Sequence, residues 1–273
     1  MKILAICTCF NRKEKTRECI ETITAGNPGC EFTFVIADDG SKDGTDEMLK
    51  QMQNEYRIHL AKGDGSWFYS GGMHAGMEYA KERLPKDFDY MLMINDDVIF
   101  LENCVHQMVK QSKSQNNAVI VGAMKDETGR QSYGAVKYTS GYKYRKLNIS
   151  EWQVVADTFN ANCVLIPYKA FELVGSIDPF YRHSLGDFDY GLSLKRAGYK
   201  IYQSKDFVGI CNNNSNRNTW ADTSLGRVER IRKKESVKGA PTKQWFYFLK
   251  KNFGMLSAIK GTLTPYVRIL LGK

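Results

Sequence analysis

Two features of this chain predict an α/β domain with a mostly parallel central sheet flanked by helices. Over the first 100 residues apolar runs alternate with helical patterns, in the order strand, helix, strand, helix, strand, helix, strand. That order builds a parallel sheet with helices on its faces. In addition, three polar phrases each follow a strand: Thr8-Cys9-Phe10-Asn11-Arg12, Asp38-Asp39-Gly40-Ser41-Lys42-Asp43 and Asn95-Asp96-Asp97. They converge on the carboxyl edge of the sheet, where open α/β folds bind ligands.

Residues 3–9 make the first strand and 13–24 the first helix. A second strand over 31–37 runs into Asp38, and 44–56 carries a helical pattern opened by Thr45 and Asp46. A short third strand over 58–61 leads to a loop with five glycines between Lys62 and Gly76, then to a helix from about residue 73 to 83. Tyr90-Met91-Leu92-Met93-Ile94 is the fourth strand, apolar throughout as a buried strand is. In the second half, Leu192 to Tyr199 reads as a short helix ended by glycine, with Asp187 at or before its N-terminus.

The chain has 273 residues, 42% of them hydrophobic, enough to bury a full core as one large domain or one domain with an appendage. Its seven cysteines (Cys7, Cys9, Cys19, Cys30, Cys104, Cys163, Cys211) are odd in number and form no CxxC pair. That usage suits free thiols in a reducing compartment better than a disulfide framework or structural zinc. The apolar stretch after Lys2 is too short for a signal-peptide core and no run is long enough to span a bilayer. The expectation is a cytoplasmic protein.

The net charge of +9 is unevenly placed. Residues 225–273 hold 12 Lys and Arg against Glu229 and Glu235, a net of +10, which leaves 27 basic and 28 acidic residues before them. No nucleic-acid-binding signature accompanies this charge, so nucleic acid is not an expected partner. The basic residues interleave with Trp245, Phe246, Tyr247, Phe248, Phe253 and Leu256. Such a segment fits the headgroup region of an anionic membrane, and equally an amphipathic helix packed on its own domain or a homodimer contact.

Each loop has a chemical reading. Asp38 at a strand end can accept from a ring N–H, while the glycines after it let the chain turn tightly; the same phrase also makes a turn and helix cap. Asp96 and Asp97 are adjacent carboxylates at a strand mouth, whose repulsion a cation would relieve, and position alone leaves turn and cation site equally open. The loop from Lys62 to Gly76 is neither a Walker A loop nor GxGxxG. His74 just inside the next helix is expected to pack or cap. Asp187 ahead of a helix is an N-cap or a carboxylate held ionised toward a ligand.

Together these phrases resemble the family 2 glycosyltransferases. The resemblance is carried by Thr8 to Arg12, the IADDGSKDGT phrase, the loop at Gly71, Gly72 and Gly76, NDDV, Asn160-Ala161-Asn162-Cys163 and GDFDYGLSLKRAGY. The closing section, with Val208-Gly209-Ile210-Cys211, Lys238-Gly239-Ala240-Pro241 and Pro265-Tyr266-Val267-Arg268, is similar to a bacterial, rhamnosyltransferase-like subgroup that builds capsule, lipopolysaccharide or other surface glycans.

That resemblance implies a GT-A-type, Rossmann-like sheet over residues 1–224, with a nucleotide-binding half (1–100) and an acceptor-binding half (101–224), followed by a basic helical extension over 225–273. It also implies an inverting transfer from a UDP- or dTDP-sugar to a hydroxyl of a glycan or lipid-linked acceptor. Thr8 and Asp38 match positions that hold the base, Arg12 lies near the phosphates, and Asn11, Gly71, Gly72 and Asp96 fall in the donor-binding phrases. Asp97, with Asp96, matches the ligands of Mg2+ or Mn2+ in a DxD motif whose first position is here Asn95. Asp187 matches the general base.

Two departures matter. No His follows His183, where relatives often supply a further metal ligand, and Cys211 and Asn212 occupy that neighbourhood. Met73 and His74 replace amide-bearing residues common after the paired glycines. Two other classes stay open on the residues alone: a sugar nucleotidyltransferase, which needs a basic phosphate loop near the first strand, and a non-enzymatic magnesium-binding receiver or scaffold. Peripheral attachment to the inner face of the cytoplasmic membrane follows if the acceptor is lipid-linked.

Overall fold

In the computed structural model, which describes residues 1–213 and 217–273, the first 100 residues follow the expected alternation. They comprise β1 (Lys2–Cys9), α1 (Lys13–Ala25), β2 (Glu31–Asp38), α2 (Thr45–Met52), β3 (Ile58–Lys62), α3 (Phe68–Arg83), β4 (Tyr90–Asn95) and the two-residue β5 (Ile99–Phe100). Then come α4 (Cys104–Ser114), β6 (Val119–Lys125), β7 (Ala135–Ser140), β8 (Lys143–Lys146), β9 (Thr158–Phe159), β10 (Cys163–Pro167), α5 (Tyr168–Val174), α6 (Gly186–Arg196) and β11 (Ile201–Ile210). The chain closes with α7 (Arg227–Glu235), α8 (Thr242–Phe253) and α9 (Met255–Leu270).

The main sheet has the order β3-β2-β1-β4-β10-β6-β11-β5, and β8-β7-β9 form a second sheet. β1 pairs in parallel with both β2 and β4, whereas β10 runs antiparallel between β4 and β6. Strand alternation explains the layering. On β1, Ile3, Ala5, Cys7 and Cys9 enter the core shared with α1, α2 and α4, and Leu4 and Ile6 enter the core shared with α3, α5 and α6. Both faces are covered, as the unbroken apolar runs require.

Three differences from the sequence reading have physical causes. α2 ends at Met52, since 53–56 turn away, whereas α3 starts at Phe68, five residues before the expected helix. The early start is supported from a distance: Asp39 Oδ1 accepts from the Gly65 and Trp67 amides (each 3.0 Å), and Oδ2 accepts from the Phe68 amide (2.8 Å). The Trp67 and Phe68 amides are N–H groups that a helix start leaves without partners. The small sheet, by contrast, is short and polar outside, a local β7–β8 hairpin to which β9 adds from about twenty residues beyond β7.

The C-terminal helices are not a free tail. Phe248, Leu249 and Ala258 form a core with buried Tyr181, and Gly254, with φ 86°, turns α8 into α9. A polar clasp joins this hairpin to α6. Lys251 Nζ bonds Asp189 (2.7 Å) and Asp178 (2.9 Å), and Asn252 Nδ2 donates to the other oxygen of Asp189 (2.8 Å). Asp189 is 2% exposed, so losing its cation leaves a buried carboxylate short of partners. Lys251→Met is expected to destabilise the protein by about 1–3 kcal/mol, read as an earlier transition in denaturant.

Candidate active site

The register β1–β4 sets Thr8 beside Asn95, and β1–β2 sets Cys9 beside Asp38. The three polar phrases thus share one edge of the sheet. Here Arg12 Nη1 donates to Asp96 Oδ1 at 3.0 Å and to Asp97 Oδ2 at 2.8 Å. Asp96 is buried and Asp97 partly open. Burial pushes the Asp96 carboxyl up to about 6; Arg12 opposes that rise and the neighbouring Asp97 adds to it.

Asp187 arrives from the other half of the chain. Leu185 (φ 74°) turns the backbone into α6, leaving Asp187 in the first turn. Its Oδ2 accepts from the Ala161 amide at 3.3 Å and its Oδ1 from the Phe188 amide at 2.9 Å. The surrounding protein pushes the carboxyl up to about 6 by desolvation, and those amides hold it back from rising further. It is a carboxylate poised to exchange a proton near neutral pH.

One cavity of about 750 Å³ joins the two regions, with Thr8, Arg12, Asp96, Asp97 and Asp187 on its wall. The other residues singled out from the sequence are placed around it. Asn11 and Asp38 secure the 38–43 loop: Asn11 Oδ1 accepts from the Lys42 amide (2.7 Å) and Asp38 Oδ1 from the Ser41 amide (3.1 Å). Asp38 is buried and does not line the cavity. Gly71 and Gly72 lie inside α3 against Thr8 and the Arg182 carbonyl, not in an open loop. A Cβ on Gly72 would fall 2.2 Å from Thr8 Oγ1 and 2.9 Å from Thr8 Cβ, so only glycine lets α3 approach β1 this closely. His74 does pack: its Nδ1 lies 2.7 Å from the Ile177 carbonyl.

The fit to a metal is partial. Asp96 and Asp97 present two carboxylates at the cavity wall, but Asn212 Nδ2 donates to Glu127 (2.9 Å) and so faces away from them. Cys211 Sγ sits 3.7 Å from Asp97 Oδ1. Its thiol is pushed up to about 12 by burial and then by Asp97, and a protonated thiol is a poor ligand for a hard cation. Among the described residues no three His, Cys, Asp or Glu side chains cluster to hold a metal. Two carboxylates suit a hard cation that takes its remaining oxygens from substrate phosphates and water.

Sequence reasoning missed much of the opposite wall. Tyr138, Tyr142, Tyr144, Phe188 and Trp245 line the cavity. Tyr138 and Tyr144 face each other across the β7–β8 pair with ring centroids 6.2 Å apart. The Tyr138 hydroxyl, the Asn95 Oδ1 and the His183 Nδ1 are buried with no partner among the described residues, and all three residues border the cavity. Unpaired polar atoms beside aromatic faces suit a polyhydroxylated ligand. The tyrosine density between 133 and 152 was the available signal. Lys234, Lys238 and Arg268, from the extension, also reach the cavity, and only long-range packing puts them there.

The chain spans less than two thirds of the length of the curated relatives it matches. It is 22% identical over 208 residues to the succinoglycan biosynthesis protein ExoA of Rhizobium meliloti, an alignment covering 74% of this chain and 60% of ExoA. Among solved structures it resembles the Pyrobaculum calidifontis mannosyltransferase PcManGT in complex with GDP-Man and Mn2+, with a TM-score of 0.62, 10% identity and coverage of 99% of this chain and 73% of that one. It also resembles S. aureus TarS 1-349 in complex with UDP-GlcNAc, with a TM-score of 0.57, 13% identity and coverage of 98% and 83%. At these identities the structural likeness shows the curled, mostly parallel GT-A sheet alone. The family model described as Glycosyl transferase family 2 matches residues 5–174, from β1 through the Arg12–Asp96–Asp97 cluster to the end of α5. With more than half of its length matched, this chain belongs to glycosyl transferase family 2.

Proposed function

We propose that this enzyme transfers a sugar from a UDP- or dTDP-sugar to an acceptor hydroxyl with inversion at the anomeric carbon, in the assembly of a bacterial surface polysaccharide. The observation that carries the reading is the single cavity holding Asp187 together with Arg12, Asp96 and Asp97. The complexes of PcManGT with GDP-Man and Mn2+ and of TarS with UDP-GlcNAc support a nucleotide-sugar donor, and the succinoglycan role in ExoA's name supports a surface glycan.

In this reading, residues 1–100 bind the donor, 101–224 supply most of the acceptor side and 225–273 close the cavity. Thr8 borders the base and ribose end, Asp38 and Asn11 hold the loop behind it, Gly71 and Gly72 let α3 pack close to β1, and Arg12 faces the phosphates. Asp187 takes the proton from the acceptor hydroxyl as that oxygen bonds the anomeric carbon. The carbon–oxygen bond to the diphosphate breaks on the opposite face, so configuration inverts. Magnesium or manganese held by Asp97 and Asp96 with the donor phosphates would neutralise charge on the leaving diphosphate.

The test is a screen of nucleotide sugars by calorimetry and by hydrolysis, with and without Mg2+ or Mn2+. Metal-dependent binding of one UDP- or dTDP-sugar is the expected result. Turnover of a nucleoside triphosphate and sugar phosphate instead would make the protein a nucleotidyltransferase.

A further inference from the structure

α9 presents three faces. Ala258, Thr262 and Ile269 are buried against the domain. Gly261, Thr264, Pro265 and Arg268 line the cavity that holds Asp187. Along the remaining side Leu256, Ile259, Leu263, Val267 and Leu270 recur every third or fourth residue, which places them on one stripe. They are exposed: Leu256 by 85%, Leu263 by 58% and Leu270 by 59%. Large apolar side chains concentrated this way mark a surface that meets something apolar.

The charge of the closing segment selects the partner. After Glu235 the chain has seven Lys and Arg and no Asp or Glu. A second copy docking through the same stripe would set two helices that carry Lys260 and Arg268 and no acid against each other. An anionic bilayer instead offers acyl chains to the leucines and phosphates to the cations. α9 has 16 residues and a proline at 265, and at ~1.5 Å per residue it is too short to cross ~30 Å of hydrocarbon. It is suited to lie in the interface.

We propose that α9 is a membrane-docking helix, and that the acceptor is the headgroup of a membrane-borne amphiphile which enters the cavity along the flank formed by Thr264 and Arg268. The same helix borders both bilayer and cavity, so docking brings the mouth of the site to the headgroup layer while the acceptor's apolar anchor stays in the membrane. The acceptor assignment rests on the glycosyl-transfer reading; the docking assignment does not.

The full-length protein is sedimented with vesicles of phosphatidylcholine containing phosphatidylglycerol and with vesicles of phosphatidylcholine alone. Binding to the anionic vesicles is expected, falling by at least about 10-fold in Leu256→Asp/Leu263→Asp, with an unchanged melting curve and unchanged hydrolysis of the donor. Equal binding by variant and wild type, or no binding by either, overturns the docking. So does light scattering that shows a wild-type dimer converted to monomer by the substitutions without any vesicle binding. For the acceptor, labelled donor is incubated with vesicles of a bacterial membrane lipid extract. Label passing into the organic phase is expected, and label confined to water-soluble product overturns the acceptor class. Absence of donor turnover in any mixture counts against glycosyl transfer itself and leaves the vesicle result standing.

Discussion

Asp187→Asn is expected to lower sugar transfer by on the order of 10²–10⁴-fold while donor affinity stays within about twofold. Asn keeps the shape of the side chain but cannot take the acceptor's proton. The wild-type rate should rise with pH through about 6, because burial sets the Asp187 carboxyl there and the proposed base is its ionised form. Stability moves the other way. A folded-state pKa above the unfolded value means the native state holds its proton longer, so stability is lost as pH rises from the ordinary carboxylate range through about 6. The substitution should therefore raise the melting temperature at neutral pH while removing activity and the acid limb of the rate profile. A variant with wild-type transfer, or with lower stability and lost donor binding, would show that Asp187 serves the fold and not the chemistry.

Asp97→Ala is expected to lower kcat/KM by on the order of 10²–10³-fold, through weaker donor binding and poorer stabilisation of the leaving diphosphate. Arg12 would keep Asp96, to which it already donates at 3.0 Å, so the fold should survive. The informative readout is calorimetry of donor binding across a manganese titration. The wild type should bind more tightly as manganese rises and the variant should not respond. A variant whose donor affinity still climbs with manganese would move the cation away from this carboxylate.

The parallel half of the fold was legible because its signals are local. An apolar run such as Tyr90 to Ile94 can only be a buried strand or a buried helix segment, and its length and the polar stop at Asn95 decide between them. Asp38 shows the limit of such reading. Its place at a strand end was right, yet its carboxylate turns inward to the Ser41 amide, while the adjacent Asp39 organises the start of α3 through three amides. Neighbouring aspartates are indistinguishable in sequence, because which one faces a loop 26 residues away depends on the backbone path.

The aromatic wall of the cavity was less legible still. Tyr138 and Tyr144 meet across a polar two-stranded ribbon, and Trp245, whose indole N–H donates to the Gly261 carbonyl at 3.0 Å, reaches the cavity from the C-terminal hairpin. The link between the two is long-range: Tyr142 and Trp245, ring centroids 6.2 Å apart, join segments about a hundred residues apart in the chain and leave no periodic trace.

By itself the sequence determined the order of the first strands and helices, the edge on which Thr8, Arg12, Asp96 and Asp97 gather, and a helix close to Asp187, although α6 starts at Gly186 and not at Leu192, since periodicity and strand ends are properties of neighbouring residues. Tertiary structure alone decided that Asp187 shares a cavity with that edge, that Asn212 faces Glu127, and that the basic tail folds back so one side of α9 lines the site while another stays bare. Those outcomes depend on long-range packing, in which each side chain's partner is set by the path of the whole chain.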